Sequence, residues 1–323
     1  MILNLLIFMI SLSLVVKGAM LATRFSAKLA KNFRLSKYIL GFIIVALISI
    51  LPETIISINS AMEGSPEFGL GTLFGSNIAD LTLIFAILII YARRGIKIES
   101  KVLKDVRLYP FFLLLPLLFG LNGHYSRIEG AALIIAGSIF YFMVFRHGLD
   151  ASAEITAEAG KVTPSIPQHR KKTHSLKYFL YLLFSMVLLL LGSHFTVTSA
   201  TDLAYALNIS PILIAMLVVS LGTTMPELFY SLKSIKRRDD GLAIGDIMGS
   251  VLADATIVVG ILSFISPFAF PVKIVYITGV FMLISSFILL HFMRSEKIIT
   301  KKEGYALLVF WVIYVVVEFI ANK

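Results

Sequence analysis

The chain carries twice a stretch whose second copy reads Val219-Ser220-Leu221-Gly222-Thr223-Thr224-Met225-Pro226-Glu227, followed by Gly245-Asp246-Ile247-Met248-Gly249-Ser250-Val251-Leu252-Ala253-Asp254. The first copy reads Val45-Ala46-Leu47-Ile48-Ser49-Ile50-Leu51-Pro52-Glu53, followed by Gly71-Thr72-Leu73-Phe74-Gly75-Ser76-Asn77-Ile78-Ala79-Asp80. Every identical pair has the same separation in sequence as Glu53 and Glu227, without a gap, and this separation is called the repeat offset. The identical pairs include Pro52/Pro226, Glu53/Glu227, Ser57/Ser231, Gly71/Gly245, Gly75/Gly249, Ser76/Ser250, Ala79/Ala253 and Asp80/Asp254. This agreement indicates an internal duplication.

The composition is that of a membrane protein. Of 323 residues, 58% are hydrophobic and 15% are charged, and the mean hydropathy is +0.91. Soluble domains are about 45–50% apolar, so we expect the lipid bilayer to surround this chain. The formal net charge of +10 lies in short loops and not on one basic face, which argues against nucleic acid as a partner. The chain has no cysteine, which excludes disulfides and thiol-based sites.

Ten apolar segments are candidates for spanning helices, each of which needs roughly 20 residues. They are residues 1–22, 38–60, 68–91, 108–121, 128–145, 176–199, 211–233, 242–265, 271–293 and 304–320. The first lacks a basic flank and a cleavage site, so it is interpreted as a spanning helix and not as a signal peptide. The fourth is short and contains Pro110 and Pro116.

Lysine and arginine alternate along the loops between these segments. Loops with four to six basic residues, such as those from Arg24 to Lys37 and from Arg93 to Arg107, alternate with loops that have one or none. By the positive-inside rule, the basic loops face the cytoplasm. The sequence therefore predicts a multi-pass protein of the cell membrane with both termini outside.

The repeat offset corresponds to five segments, an odd number, so the second copy enters the membrane from the opposite side. The predicted fold class is an all-α polytopic membrane protein with ten transmembrane helices in two inverted five-helix repeats. The repeats are predicted at residues 1–145 and 176–323. Inverted repeats are common in secondary transporters, whose ion sites lie near the midplane where the repeats meet.

Residues 146–175 are predicted to be a cytoplasmic linker. This segment is polar and contains Pro164 and Pro167. A regulatory ion site formed by Asp150, Glu154, Glu158 and the three nearby histidines is the alternative interpretation.

Glu53 and Glu227 each follow a proline in the middle of an apolar segment. Proline removes a backbone donor and leaves a carbonyl oxygen without its helical partner, which a membrane tolerates only where other groups satisfy the backbone. With the hydroxyls of Thr223 and Thr224, these groups offer oxygen ligands of the kind that Ca²⁺ prefers.

Asp80 and Asp254 lie one helix later in each repeat, four residues after Ser76 and Ser250. Residues four apart share one face of a helix, so each Ser-Asp pair is predicted to face the Pro-Glu segment. The glycines at 71, 75, 245 and 249 have small-x-x-x-small spacing, which lets helices approach closely. Ionisable residues in spanning segments are costly, and four in two matched pairs favour an ion site. Lys17 and Glu318 are interpreted as groups at the membrane interface.

These residues resemble the two α-repeats of the cation/Ca²⁺ exchanger superfamily, particularly its prokaryotic Na⁺/Ca²⁺ exchangers. The resemblance covers all ten helices in topology and about 45 residues in each half in detail. It implies that transported Ca²⁺ and Na⁺ are bound and that no cofactor is used. The ligands implied by position are Glu53, Glu227, Asp80, Asp254, Ser49, Thr223, Thr224, Ser76 and Ser250, with the carbonyls of Ala46 and Ser220.

The first repeat departs from the family pattern. Ile48-Ser49-Ile50 replaces the family's Gly-Thr-Ser, so one hydroxyl that would contribute to a Na⁺ site is lost. Asp80 stands where Na⁺-coupled members commonly have Asn. Like-charge repulsion and desolvation disfavour the simultaneous ionisation of clustered carboxyl groups. Some of these groups could therefore hold protons, and transport could be coupled to protons.

The predicted function is an antiporter that exchanges Ca²⁺ against Na⁺ by alternating access, without enzymatic activity. The first alternative is an H⁺-coupled exchanger of Ca²⁺ or Mg²⁺. A passive cation channel is a second alternative. An intramembrane aspartyl protease is a third, because Ala243-Ile244-Gly245-Asp246 superficially resembles the Gly-x-Gly-Asp element of such enzymes. The first glycine is missing, and Asp246 has Thr72 as its counterpart.

Overall fold

The structure is a computed structural model that describes residues 2–30, 37–98, 107–158, 175–295 and 297–322. Nearly all of these residues are helical, and the described part contains only four strands, each of two residues. The prediction of an all-α membrane protein is confirmed.

The first repeat contains helices α1 to α8. They are Ile2–Ala30 (α1), Lys37–Ile39 (α2), Ala46–Ser49 (α3), Leu51–Met62 (α4), Pro66–Ala79 (α5), Phe85–Ala92 (α6), Tyr109–Phe119 (α7) and Arg127–Glu158 (α8). Leu40–Val45 and Asp80–Ile84 are π-helical and continue their neighbouring helices, and Gly120–Asn122 is a 3-10 turn. Strands β1 and β2 are Ile96–Lys97 and His124–Tyr125.

The second repeat contains helices α9 to α16. They are Ser175–Ala206 (α9), Pro211–Ile214 (α10), Ser220–Thr223 (α11), Met225–Lys236 (α12), Asp240–Ala253 (α13), Val259–Ile265 (α14), Val280–Ser295 (α15) and Lys301–Ala321 (α16). Ala215–Val219, Asp254–Val258 and Ile274–Gly279 are π-helical, and strands β3 and β4 are Phe268–Ala269 and Ile298–Ile299.

Nine helical spans in the described part of the chain are long and apolar enough to cross a bilayer. Two are the Pro-Glu helices, Leu40–Met62 and Pro211–Lys236, and two are the Gly-Asp helices, Pro66–Ala92 and Asp240–Ile265. The other five are Ile2–Ala22, Arg127–His147, Leu183–Ala206, Ile274–Ser295 and Lys301–Ala321.

The predicted tenth span, residues 108–121, is too short to count with these nine. The apolar helix there runs only from Tyr109 to Asn122, and Pro116 lies inside it. This short helix nevertheless lies between β1 and β2 in the chain. The full-length span Ile274–Ser295 lies in the same way between β3 and β4. Because β1 pairs with β4 and β2 with β3, the short helix joins the same two ends of the bundle in the opposite direction.

The strand pairing also demonstrates that the repeats are inverted. Strand β1 follows the third helical span of the first repeat, and its antiparallel partner β4 precedes the last span of the second. Strands β2 and β3 form the reciprocal pair. Two repeats of the same orientation would put the members of each pair on opposite sides of the membrane. Each pair can form only if one repeat is turned over.

The duplication extends to irregularities of the backbone. The first Pro-Glu helix is interrupted at Ile50 and the second at Thr224, the position related to Ile50 by the repeat offset. The π-helical segments Asp80–Ile84 and Asp254–Val258 are related by the same offset. Single π-turns within α-helices occur frequently at functional sites. Here they coincide with the two predicted aspartates.

Glycines bring the two repeats into direct backbone contact. A Cβ atom on Gly75 would lie 2.2 Å from the carbonyl oxygen of Met216, and one on Gly249 would lie 2.3 Å from that of Phe42. Met216 and Phe42 are themselves related by the repeat offset. Each Gly-Asp helix therefore packs against the Pro-Glu helix of the other repeat, and the close approach predicted from the glycine spacing is confirmed.

Helices α1 and α9, the first of each repeat, pack along each other at one side of the bundle. Their outer surfaces are apolar and exposed, as at Leu3, Leu6 and Leu190. These surfaces fit contact with lipid.

The predicted linker is described only in part. Helix α8 continues to Glu158 and α9 begins at Ser175. The alternative regulatory site at Asp150, Glu154 and Glu158 lies outside the residues whose side chains the structure describes. The repeat boundaries at 145 and 176 stay predictions.

Candidate ion-binding site

The interruptions of the Pro-Glu helices put both glutamates at the start of a new helical segment. Glu53 lies in the first turn of α4 and Glu227 in the first turn of α12, each directly after its proline. Pro52 cannot donate to the carbonyl of Ile48, and Pro226 cannot donate to that of Gly222. The N-terminus of a helix stabilises negative charge, so each carboxyl group lies where a buried anion is best tolerated.

All four predicted acids are buried in the centre of the bundle. The exposed fractions of Glu53, Glu227, Asp80 and Asp254 are each 1%. One carboxyl oxygen of each has no hydrogen-bond partner among the described residues. Buried polar atoms are normally hydrogen-bonded, so each of the four acids has one oxygen available for a further ligand.

These side chains have their neighbours in the opposite repeat. The hydroxyl group of Thr223 lies beside the carboxyl group of Glu53, and that of Ser76 lies beside Asp254. Glu227 is within electrostatic range of Glu53 and Asp80 of the first repeat. The site is therefore shared between the repeats, as their inverted packing requires.

Most of the predicted hydroxyl ligands donate to backbone carbonyls of their own helix. The donor–acceptor pairs are Ser76 to Leu73 at 2.9 Å, Ser250 to Asp246 at 3.0 Å, Thr223 to Ser220 at 3.0 Å and Thr224 to Leu221 at 3.2 Å. A hydroxyl group that donates its proton still has two lone pairs. These oxygens can therefore accept from another donor or coordinate a cation.

The two predicted carbonyl ligands are engaged in backbone hydrogen bonds. Ala46 accepts from the Ile50 N–H at 3.1 Å, and Ser220 accepts from the Thr224 N–H at 3.1 Å. A carbonyl oxygen has two lone pairs, so that of Ala46 has one left in this arrangement, whereas that of Ser220 also accepts from the Thr223 hydroxyl group at 3.0 Å.

Asp246 is a fifth buried acid that the sequence analysis did not include among the ion ligands. Its side chain is 0% exposed. It accepts a hydrogen bond from Ser49 of the other repeat at 3.0 Å and a longer one from Ser231 at 3.5 Å. The signal that could have identified it is an aspartate in the middle of an apolar helix, two turns before Asp254.

Among the described residues, no three Asp, Glu or His side chains converge closely enough to hold a metal ion by themselves. The hydroxyl and carbonyl oxygens beside the acids are therefore needed as candidate ligands in addition to the carboxyl groups. Ca²⁺ accepts such mixed oxygen ligands in flexible geometry.

Two tyrosines hold the second Gly-Asp helix in place. Tyr109 donates to the carbonyl of Met248 at 2.9 Å, and Tyr141 donates to that of Gly249 at 2.8 Å. Both tyrosines are buried. Their counterparts at the repeat offset are Leu283 and Val315, so this support exists only for the second repeat.

Pairs of polar side chains lie near both ends of the bundle. Arg94 forms a bidentate pair with Asp240 at 2.6 and 2.7 Å, and this contact raises the pKa of Arg94. Near the other end, His194 Nδ1 lies 2.7 Å from Glu63. Partial burial raises the pKa of Glu63, and the contact with His194 opposes that rise.

The side chain of Glu318, which was interpreted as a group at the membrane interface, is only 1% exposed. It accepts hydrogen bonds from Thr278 and, at 2.7 Å, from Asn322. Partners at the end of the last helix satisfy this carboxyl group, which distinguishes it from the four central acids.

Two inverted repeats of membrane-spanning helices, with acids from both repeats buried at helix breaks, define a membrane transporter of inorganic cations. A sequence model of the family described as "Sodium/calcium exchanger protein" matches residues 3–146 and 177–320. The chain belongs to this family of cation antiporters, whose substrates are Ca²⁺ and Na⁺, and is a transporter and not an enzyme.

Similar sequences occur in archaea and bacteria. An uncharacterized membrane protein of Methanocaldococcus jannaschii, MJ0091, is 28% identical over 247 residues, covering 76% of this chain and 77% of that protein. The putative antiporter CaxA of Alkalimonas amylolytica is 28% identical over 249 residues, 75% of this chain and 74% of that protein. The sodium/calcium exchanger MaX1 of Methanosarcina acetivorans is 23% identical, covering 98% of both chains.

A solved structure of the sodium-calcium exchanger NCX_Mj has the same fold. It matches with a TM-score of 0.70 and 23% identity, and the match covers 98% of each chain. This likeness agrees with the two-repeat architecture described above.

Proposed function

We propose that this protein exchanges Ca²⁺ for Na⁺ across the cell membrane by alternating access. The observation that carries the proposal is the matched pair Glu53 and Glu227, each buried at the break of a Pro-Glu helix and each with one oxygen free of hydrogen bonds to the described residues. One divalent cation balances these two carboxylates. The name of the relative MaX1, a sodium/calcium exchanger, supports the choice of ions.

The ligands in this proposal come from both repeats. Oxygens of four acids, five hydroxyl groups and two carbonyl groups would bind Ca²⁺ and Na⁺ in alternation. They are Glu53, Glu227, Asp80, Asp254, Ser49, Thr223, Thr224, Ser76, Ser250 and the carbonyls of Ala46 and Ser220. Ca²⁺ and Na⁺ compete for one set of negative charges, and this competition couples the two fluxes.

Alternating access would arise from sliding of α1 and α9 along the rest of the bundle. These two helices pack on each other, and a carboxylate–histidine pair joins α9 to the end of the first Pro-Glu helix. Inverted repeats let one site open to either side by moving one bundle against the other. We infer that the Lys- and Arg-rich loops face the cytoplasm and both termini lie outside.

Proton coupling is a second candidate, favoured by the number of buried acids. Asp246 adds a fifth carboxyl group to the four predicted ones, and one Ca²⁺ balances only two negative charges. Protons could neutralise the remainder. The same site could also select Mg²⁺, which keeps its waters and requires near-octahedral geometry.

The test is ⁴⁵Ca²⁺ uptake into proteoliposomes that contain the full chain. One set carries an outward Na⁺ gradient, a second an H⁺ gradient and a third neither, with Glu227→Gln protein as the matched control. We expect uptake driven by Na⁺ that Glu227→Gln abolishes. Uptake driven only by protons would replace the Na⁺ proposal with the second candidate, and uptake without any counter-ion gradient would indicate a passive channel.

A further inference from the structure

Asp246 lies one layer away from the central acids, in a polar group of its own. One carboxyl oxygen accepts from Ser49 at 3.0 Å, and the other lies 3.5 Å from the Ser231 hydroxyl group, which also has the Ala243 carbonyl oxygen within 3.4 Å. All three side chains are fully buried. The charge of a buried carboxylate is costly unless it is paired, and both of its donors here are neutral hydroxyl groups.

This group is directly connected to the two glutamates. Ser49 precedes Glu53 by four residues, and Ser231 follows Glu227 by four residues. The two Pro-Glu helices belong to inverted repeats and run in opposite directions, so both serines lie about one helical turn, roughly 5.4 Å, from the glutamates on the same side. An ion could therefore pass between this group and the centre in one short step.

The opposite side of the centre has no equivalent group among the described residues. The counterpart of Asp246 is Thr72, which donates to the carbonyl of Phe68 in its own helix at 3.1 Å. The counterpart of Ser231 is Ser57, whose hydroxyl group has no hydrogen-bond partner in the described part of the chain. The ion pathway is therefore electrically asymmetric although the backbone is nearly two-fold symmetric.

A second difference between the repeats falls on the same side. Ile50 stands where the second repeat has Thr224, and Ile50 packs in the hydrophobic core. The side that has lost this hydroxyl group is the side that gains the Asp246 carboxylate. The Asp246 carboxylate thus offers oxygen ligands on the side where the lost hydroxyl group at position 50 had suggested an incomplete Na⁺ site.

The charge of the group selects the class of ion. One carboxylate and two hydroxyl groups carry a single negative charge, which one monovalent cation neutralises. We propose that Asp246, Ser49 and Ser231 bind one Na⁺ ion at a position beside the central site. This inference rests on the proposed exchange function, because Ser49 is shared with the central site.

The test is equilibrium binding of ²²Na⁺ and, separately, of ⁴⁵Ca²⁺ to the purified full chain in detergent. The main variant is Asp246→Asn, which removes the charge but keeps an acceptor for Ser49. The matched control is Ser57→Ala, at the position related to Ser231 by the repeat. It removes an equally buried hydroxyl group that has no partner among the described residues, a change that is nearly neutral for folding.

We expect Asp246→Asn to weaken Na⁺ binding at one position by at least about tenfold, which is about 1.4 kcal/mol, and to leave Ca²⁺ binding within about threefold of wild type. Ser231→Ala should weaken the same Na⁺ component by a smaller factor, and Ser57→Ala should leave it unchanged. If Asp246→Asn does not fold, the Na⁺ affinity of Ser231→Ala is measured instead.

The inference is wrong if Asp246→Asn binds Na⁺ with wild-type affinity. If Asp246→Asn does not fold, wild-type Na⁺ affinity of Ser231→Ala has the same meaning. Neither result would affect the proposed exchange. Binding of ⁴⁵Ca²⁺ but not of ²²Na⁺ by the wild-type chain would overturn the inference and also Na⁺ as the counter-ion, and would favour the proton-coupled candidate. Na⁺ binding that depends on Asp246, together with no Ca²⁺ binding by wild type, would support the Na⁺ position and overturn the proposed exchange of Ca²⁺.

Discussion

Gly75 of the first Gly-Asp helix lies directly against the backbone carbonyl of Met216 on the second Pro-Glu helix. The same contact recurs between Gly249 and Phe42. Asp80 and Asp254 each lie five positions after one of these glycines. Asp80 is within electrostatic range of both Glu53 and Glu227, and Asp254 is within range of Glu53. The separation of the two backbones at the glycines therefore decides whether a shared site exists.

Replacing Gly75 by Ala should destabilise the protein strongly, because the new methyl group would lie 2.2 Å from a backbone oxygen that cannot move independently. Overpacking of this kind typically costs about 1–3 kcal/mol. Thermal unfolding in detergent would measure it. The graded control is Gly71→Ala on the same helix, whose nearest contact is the Ile212 side chain at 3.1 Å. Equal stability of both variants would contradict the tight packing at Gly75.

Replacing Glu53 or Glu227 by Gln should each eliminate Ca²⁺ transport. The amide keeps the shape of the side chain but loses the charge that would balance a divalent ion, and its NH₂ group cannot coordinate a cation. Uptake of ⁴⁵Ca²⁺ into proteoliposomes measures the loss, which we expect to exceed about 100-fold, or about 2.7 kcal/mol. Glu67→Gln, in the first turn of α5, is the control with the same chemistry away from the helix breaks. Normal transport in either central variant would reject the assignment of the site.

Ile50→Ser should strengthen the dependence of transport on Na⁺, because it restores a hydroxyl group at the position where the second repeat has Thr224. Ile50 is only 5% exposed, so the variant also loses apolar packing and should be less stable by a few kcal/mol. Ile50→Val keeps the apolar character and serves as the control. The half-saturating Na⁺ concentration is the quantity to compare, and an unchanged value in Ile50→Ser would show that this side chain lies off the ion path.

Asp240→Asn should destabilise the end of the bundle where the first turn of α13 meets the loop after α6. Arg94 donates two hydrogen bonds to Asp240 at 2.6 and 2.7 Å, and hydrogen bonds to charged groups contribute about 1.5–3 kcal/mol. A double-mutant cycle with Arg94→Met isolates the pair. Arg94→Lys, which keeps the charge but not the bidentate geometry, should recover only part of the stability. Additive effects of Arg94→Met and Asp240→Asn would mean that the pair contributes nothing.

Much of the architecture was predictable because its signals are local or periodic. Apolar runs identify spanning helices since every backbone group in lipid must be satisfied within a helix. The constant repeat offset and the alternation of basic loops together predicted inversion, which the β1–β4 and β2–β3 pairs confirm. The tenth span was predicted from apolar composition, and there the helix from Tyr109 to Asn122 is too short for that count.

The candidate site was predictable only where the two repeats agree. Glu53, Glu227, Asp80 and Asp254 were identified because each has a partner at the same offset. Asp246 has no such partner, and sequence reasoning considered it only for a protease. The burial of Glu318 was also missed, because its partners Thr278 and Asn322 become visible only when the last helices are packed.

The sequence by itself determined the class of fold, the duplication and the identity of the four central acids, since helix length, proline breaks and residue type are properties of the chain alone. Only the tertiary structure decided which repeat supplies each neighbour: Thr223 to Glu53, Ser76 to Asp254 and Ser49 to Asp246. The physical reason is that inverted packing joins residues that are far apart in the chain. Such contacts depend on how closely Gly75 and Gly249 let the helices of the two repeats approach. The glycine spacing predicts close packing but does not identify the partner helix.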